Sequence, residues 1–129
     1  MRKEPVATWS TLAVDAPTHA LVENVDLVVV RYSESDVSVL YGRCLRRGAL
    51  LANGFVRGHN LICGVHDWDY RVDTGVSEYD NKEALHKFSC WVEGDEVLVD
   101  ADEVAAWAVE HPQPYDRDAY LGNYADVHG

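Results

Sequence analysis

Between Cys44 and Tyr70 the chain reads C-L-R-R-G-A-L-L-A-N-G-F-V-R-G-H-N-L-I-C-G-V-H-D-W-D-Y, and no other stretch limits its fold so strongly. Cys44-x-Arg46 and Cys63-x-x-His66 flank sixteen residues in which Gly48, Gly54 and Gly58 mark tight turns. Two candidate loops carrying metal-binding side chains therefore stand on either side of a short hairpin. A strand through Ile62, alternating inward, would deliver Cys63 to its end. The layout is that of a metal-cluster site.

Around this stretch the sequence predicts short strands broken by turn residues. Val25 to Tyr32 is a β-branched run, Asp36 to Tyr41 alternates polar and apolar, and Ser33-Glu34-Ser35 joins the two as a hairpin. Leu50 to Val56 and Asn60 to Cys63 are read as a second pair about Arg57-Gly58-His59. Leu85 to Val92 is read as a strand with Phe88, Cys90 and Val92 on one face, turning at Gly94-Asp95 into Glu96 to Asp100. Strands at this spacing predict an all-β domain, an antiparallel sandwich or small barrel. After Asp100 the period changes: Asp102 is expected to cap a short helix with Val104, Trp107 and Ala108 along one stripe, ended by Pro112 and Pro114. The division is a domain over 1–114, with its cluster-binding part at about 43–75, and a tail or linker over 115–129.

With 129 residues, 47% of them hydrophobic, one core of ordinary size is affordable without staples. A net charge of −11 argues against nucleic acid and anionic membranes as partners. No apolar run approaches the length of a membrane span, and Met1 to Pro5 lacks the apolar middle of a secretion signal, so the expected compartment is cytoplasmic. Three cysteines cannot all pair, and a reducing compartment favours a metal or a buried thiol over a disulfide. Basic residues concentrate locally: Arg43, Arg46 and Arg47 crowd the first loop and Arg57 follows in the hairpin, which would favour an anionic cluster there.

The two halves, the Arg47-Gly48-Ala49 turn, the glycine-marked hairpin, Trp68 two residues after His66, and the closing pattern L-x-x-F-x-x-x-V-x-x-x-x-V-L-V from Leu85 to Val99 together resemble the Rieske iron-sulfur family in its ferredoxin and oxygenase branch. The similarity runs from about Val25 to Asp100. It implies a Rieske-like fold with a loop-hairpin-loop subdomain and a [2Fe-2S] cluster, in which each half supplies one cysteine and one histidine. Cys44, Cys63 and His66 then correspond to three metal ligands, and Arg46 occupies the position of the fourth. Leu45 and Gly64 stand where the family has proline, and Asp67 where it has glycine.

A guanidinium stays protonated and offers iron no lone pair, so Arg46 is a poor ligand and a good hydrogen-bond donor to sulfide. Three outcomes stay open. In one, a cluster is held with the fourth place filled by Arg46, by another residue such as Cys90, or by solvent or a partner. In the second, the fold persists as a cluster-free docking module of a larger oxidoreductase. Or the three groups hold a single metal such as zinc with one open position. The first is preferred, because a loop without a metal has no physical need for exposed thiols. Where high-potential relatives place a serine beside a sulfide this chain has Trp68, which implies a lower-potential carrier.

The implied function is electron transfer by a non-catalytic carrier or accessory domain of an oxidoreductase, with His66 near the exit route. The tail from Tyr120 to Gly129 resembles the segment leading into the catalytic part of Rieske-containing proteins of the FMN-dependent glutamate synthase type, which implies a flavoprotein redox partner. Other chemistry-bearing residues read more simply. Cys90 suits a buried small hydrophobe. His19, His59, His86, His111 and His128 lack partner spacing, Trp91 reads as an exposed aromatic of a docking patch, and Asp67, Asp69, Asp73, Glu78 and Asp80 read as a solvated acidic face.

Overall fold

The computed structural model describes residues 1–45, 48–64, 68–78 and 83–111. Arg46, Arg47, His66, Asp67, Asp80 and the segment 112–129, with its Pro112, Pro114 and His128, lie outside the described residues.

In chain order the elements are β1 (Lys3–Thr8), β2 (Thr18–Val22), β3 (Val25–Arg31), β4 (Val37–Tyr41), β5 (Phe55–Arg57), β6 (Asn60–Ile62), β7 (Asp69–Arg71), β8 (Lys87–Phe88), β9 (Cys90–Glu93), β10 (Glu96–Asp100) and α1 (Ala101–Glu110). They form three open antiparallel sheets, ordered β2-β3-β4-β8, β1-β10-β9 and β5-β6-β7. The fold is therefore layered, and the barrel alternative does not apply to the described strands.

The β-branched run of β3 forms the centre of the first sheet because it can be buried on both faces, and every residue from Val25 to Val30 is buried. Phe88 and Leu40 join it in one continuous core that also takes in Cys44, Leu61, Cys63 and Tyr70 from the loop-hairpin region. The loop-hairpin region is thus fused to the main core. β1 sits at an edge of its sheet, where Pro5, which cannot donate to a ladder, is accommodated, and the register shifts between Pro5 and Ala7.

Four expectations need correction. Leu50 to Val56 is no single strand: Leu51–Asn53 forms a 3₁₀ turn that buries Leu51, and only Phe55–Arg57 pairs with β6. The two-residue turn Gly58-His59 fixes the register, leaving too few partners for a longer strand. Leu85 to Val92 changes sheets at Ser89, with β8 on β4 and β9 on β10. As a result Phe88 is 1% exposed and Val92 39%, so Phe88, Cys90 and Val92 do not share a buried face. The crossing is braced by the Glu103 carboxylate, which accepts from the Ser89 N–H at 3.0 Å. The helix cap is Asp100, whose carboxylate accepts from the Asp102 N–H at 2.9 Å, and Asp102 lies within the first turn. Finally, β1, β2 and β7 were not expected; their mixed polar sequences carry no clear alternation.

α1 packs Trp107 on Tyr41 and Phe88, with ring centroids 5.0 and 5.5 Å apart. Among the described residues no helix is long and apolar enough to cross a membrane.

Candidate cluster site

The first loop leaves the end of β4. Gly42 lies against the backbone of β3, its N–H donating to the Asp26 carbonyl at 2.8 Å, and a Cβ there would come within 2.6 Å of the Leu27 carbonyl carbon. Only glycine permits that approach. Arg43 and Leu50 then form an antiparallel bridge at the base of the loop. Inside it the Cys44 N–H donates to the Ala49 carbonyl at 2.9 Å, and the Gly48 N–H returns to the Cys44 carbonyl at 2.8 Å. Gly48 takes the left-handed φ of 70° that this tight return requires.

The second loop joins β6 to β7. Leu61 faces Tyr70 and Ile62 faces Asp69, and the Cys63 N–H donates to the Trp68 carbonyl at 2.9 Å, closing the loop from the strand end. Side chains alternate along a strand, so Cys63 shares its face with Leu61 and with the opposite Tyr70. From that face the Tyr70 hydroxyl stands 3.7 Å from the Cys44 sulfur and accepts from the Leu45 N–H at 3.1 Å. The buried Tyr70 thus reaches the Cys44 sulfur from beside the strand that ends just before Cys63, and the two cysteines are 2% and 0% exposed. Burial pushes the Tyr70 phenol well above the usual tyrosine range. It stays protonated and can donate to a thiolate at Cys44.

Arg43 does not contribute an open positive charge. It is buried, its Nε pairing with the Asp26 carboxylate at 2.8 Å and its Nη1 donating to the Gly48 carbonyl at 2.5 Å. Asp26 is also 2.7 Å from the His19 ring. The pattern gave no warning of this, because Asp26 sits inside an apolar run and His19 is far from any motif. Arg57 lies over the exposed Phe55 ring at 5.1 Å.

Cys90 is removed from the site. Its sulfur donates to the Val37 carbonyl at 3.6 Å, at the start of β4, whereas the ligand loop leaves the other end of that strand after Tyr41. Four residue steps of strand separate those ends, roughly 13 Å. Burial pushes the Cys90 thiol up and keeps it neutral. The acidic residues near the second loop are braces: the Asp69 carboxylate accepts from the Ser77 hydroxyl and the Glu78 N–H, and Arg71 pairs with Asp73 at 2.9 Å. His86 and His111 pack on Trp107, His59 is exposed in its turn, and Trp91 is half-buried, its indole N–H on Glu93.

Leu45, beside Cys44, is 45% exposed and borders a cavity of about 490 Å³ that also meets Tyr41, His86, Lys87 and Trp107. Among the described residues no three histidine, cysteine or acidic side chains gather as a metal site. The two thiols nonetheless fit an iron-sulfur group: both are buried soft donors at the bases of tight loops, and a hydroxyl stands beside Cys44. Arg46 and His66, which the sequence sets at the other two corners, fall outside the described residues.

Comparison with known proteins agrees with this geometry. The chain is 34% identical over 75 residues to the tert-butanol monooxygenase / tert-amyl alcohol desaturase oxygenase subunit of Aquincola tertiaricarbonis, a match covering 58% of this chain and 16% of that protein. It therefore spans a small part of that curated relative. Its fold matches the ferredoxin of carbazole 1,9a-dioxygenase from Nocardioides aromaticivorans IC177 with a TM-score of 0.70 at 24% identity, covering 77% of this chain and 97% of the ferredoxin. It also matches the NdmA QL mutant of Pseudomonas putida CBB5 with caffeine, with a TM-score of 0.67 at 24% identity, covering 79% of this chain and 34% of that one. The same fold thus occurs as a whole ferredoxin and as part of a larger chain. Residues 3–89 match the family model described as the Rieske [2Fe-2S] domain. The chain belongs to the Rieske [2Fe-2S] domain family, and its cofactor is the [2Fe-2S] cluster that defines the family.

Proposed function

We propose that this domain carries single electrons to or from an oxidoreductase, with Cys44, Cys63 and His66 as cluster ligands and Arg46 in the remaining corner. The observation that carries the reading is that Cys44 and Cys63 are both buried, each at the base of a loop closed by its own backbone, with the Tyr70 hydroxyl beside the Cys44 sulfur. When bound, the cluster supplies one-electron chemistry by spreading charge over two irons. The chain's part is to hold its ligands still. Two closed loops and a hydroxyl aimed at Cys44 limit movement as the charge changes, and a guanidinium at Arg46 would stabilise the more negative state without ligating.

Leu45 and Phe55, 45% and 40% exposed, give the ligand-bearing region apolar contacts suited to a transient partner. That partner is of the oxygenase or reductase kind: relatives of this fold include a ferredoxin of a dioxygenase and the oxygenase subunit of a monooxygenase. A flavoprotein of the FMN-dependent glutamate synthase type is the narrower proposal, resting on the tail. We take residues 1–114 as the carrier domain and 115–129 as its linker, in the cytoplasm, where a reducing environment preserves thiolate ligands.

Anaerobically purified protein is expected to be brown, with two irons and two sulfides per chain, and to give a rhombic electron paramagnetic resonance signal on dithionite reduction. Its g values report the nitrogen ligands on the reducible iron. A colourless protein of unchanged fold would refute the carrier and leave a docking module. A colourless protein loaded with zinc would point to the single-metal site.

A further inference from the structure

We propose that Arg43 is the positioning residue of the first ligand loop and that Asp26 anchors it, a role that rests on the cluster reading above. Arg43 immediately precedes Cys44, and its side chain, 10% exposed, turns back into the core. The guanidinium fork serves two directions at once: Nε pairs with the Asp26 carboxylate at 2.8 Å and Nη1 donates to the Gly48 carbonyl at 2.5 Å. The Gly48 N–H meanwhile donates to the Cys44 carbonyl. Gly48 is therefore held from both sides, by the ligand's own backbone and by the residue before it. The loop between Cys44 and Gly48 is closed by these contacts.

The anchor is suited to rigidity. Asp26 lies on β3, between the fully buried Val25 and Leu27, in the most enclosed of the described strands. Its carboxylate also meets the His19 ring at 2.7 Å from the neighbouring strand. Gly42 lets β4 and the loop base press against this part of β3. The Arg43–Asp26 pair couples the ligand loop to the central sheet, so the first cysteine keeps its place when the cluster gains charge.

Two variants test this beside the wild type. Arg43→Lys keeps a cation beside Asp26 but loses the planar fork that also reaches Gly48. The double variant Arg43→Gln/Asp26→Asn leaves no buried charge unpaired. Both are expected to keep the wild-type far-ultraviolet circular dichroism and to assemble the cluster. Both should nevertheless show broadened or shifted electron paramagnetic resonance lines and an altered visible circular dichroism. Iron should be lost to a chelator about tenfold faster, a typical effect of removing a group that orients a ligand. Wild-type spectra and extraction rates in Arg43→Lys, or in the folded double variant, would overturn the proposal. A wild-type protein that assembles no cluster would overturn the carrier reading first, and this role with it.

Discussion

Strand β3 buries every residue from Val25 to Val30, while β5, β6 and β7 have three residues each and leave Phe55 and Arg57 exposed. The first region is held by apolar area, which is undirected and tolerant in detail. The second joins that core through Leu61 and Tyr70 and adds directed contacts: the loop-closing backbone bonds, the Tyr70 hydroxyl, the Arg43 fork and the Arg71–Asp73 pair. Damage to the first should remove the fold, and with it the cluster. Damage to the second should alter the cluster and leave the fold.

The sharpest contrast comes from Cys63→Ser, expected to abolish visible absorption while the far-ultraviolet circular dichroism stays as in the wild type. Concurrent loss of secondary structure would mean that the site's sheet depends on the metal. Leu27→Ala acts from the other side, costing about 2–5 kcal/mol in urea unfolding through a cavity in the central sheet. In it, colour should disappear only as the protein unfolds.

Tyr70→Phe is subtler. It removes the hydroxyl beside the Cys44 sulfur, and one hydrogen bond contributes about 1 kcal/mol, or about 40 mV for a one-electron couple. The potential should fall by that order in protein-film voltammetry, because a donor to sulfur favours the reduced cluster. An unchanged potential would break the link between Tyr70 and the site.

The smallest effect concerns pH. The Arg71 guanidinium holds the Asp73 carboxyl below its ordinary value, so the pair contributes stability above about pH 4, where the unfolded carboxyl is ionised, and that contribution is lost as pH falls through the depressed pKa. Wild type and Asp73→Asn should thus differ in urea midpoint at pH 6 and converge at the acid end. Both groups are more than a third exposed, so the difference should be slight.

The hairpin region was readable because its signals are local. Glycines at fixed offsets and cysteines at the ends of short strands mark a hairpin without reference to the rest of the chain. Partners distant in sequence were hidden. Asp26 and Arg43 meet only because Gly42 sets β4 against β3, and nothing in the run V-D-L-V-V-V announces which side of the strand its carboxylate will face. The change of sheet at Ser89 was equally invisible, since strand-forming residues continue without a break from Lys87 to Val92 while the hydrogen-bonding partner changes. Trp107 was legible as a core residue from its helical stripe, but its packing on Tyr41 and His86 was not.

Arg2 ties the beginning of the described chain to its helix: its carbonyl accepts from the Ala101 N–H at 2.8 Å and its guanidinium pairs with Asp102 and Glu23. The start of the described chain therefore meets the first turn of α1, whereas the far end of that helix reaches the cavity that Leu45 borders, where His111 stacks on Trp107 at 4.5 Å. A tether attached after α1, to a larger enzyme or to an electrode, would start beside Leu45, so immobilisation there is expected to bring the first loop against that surface.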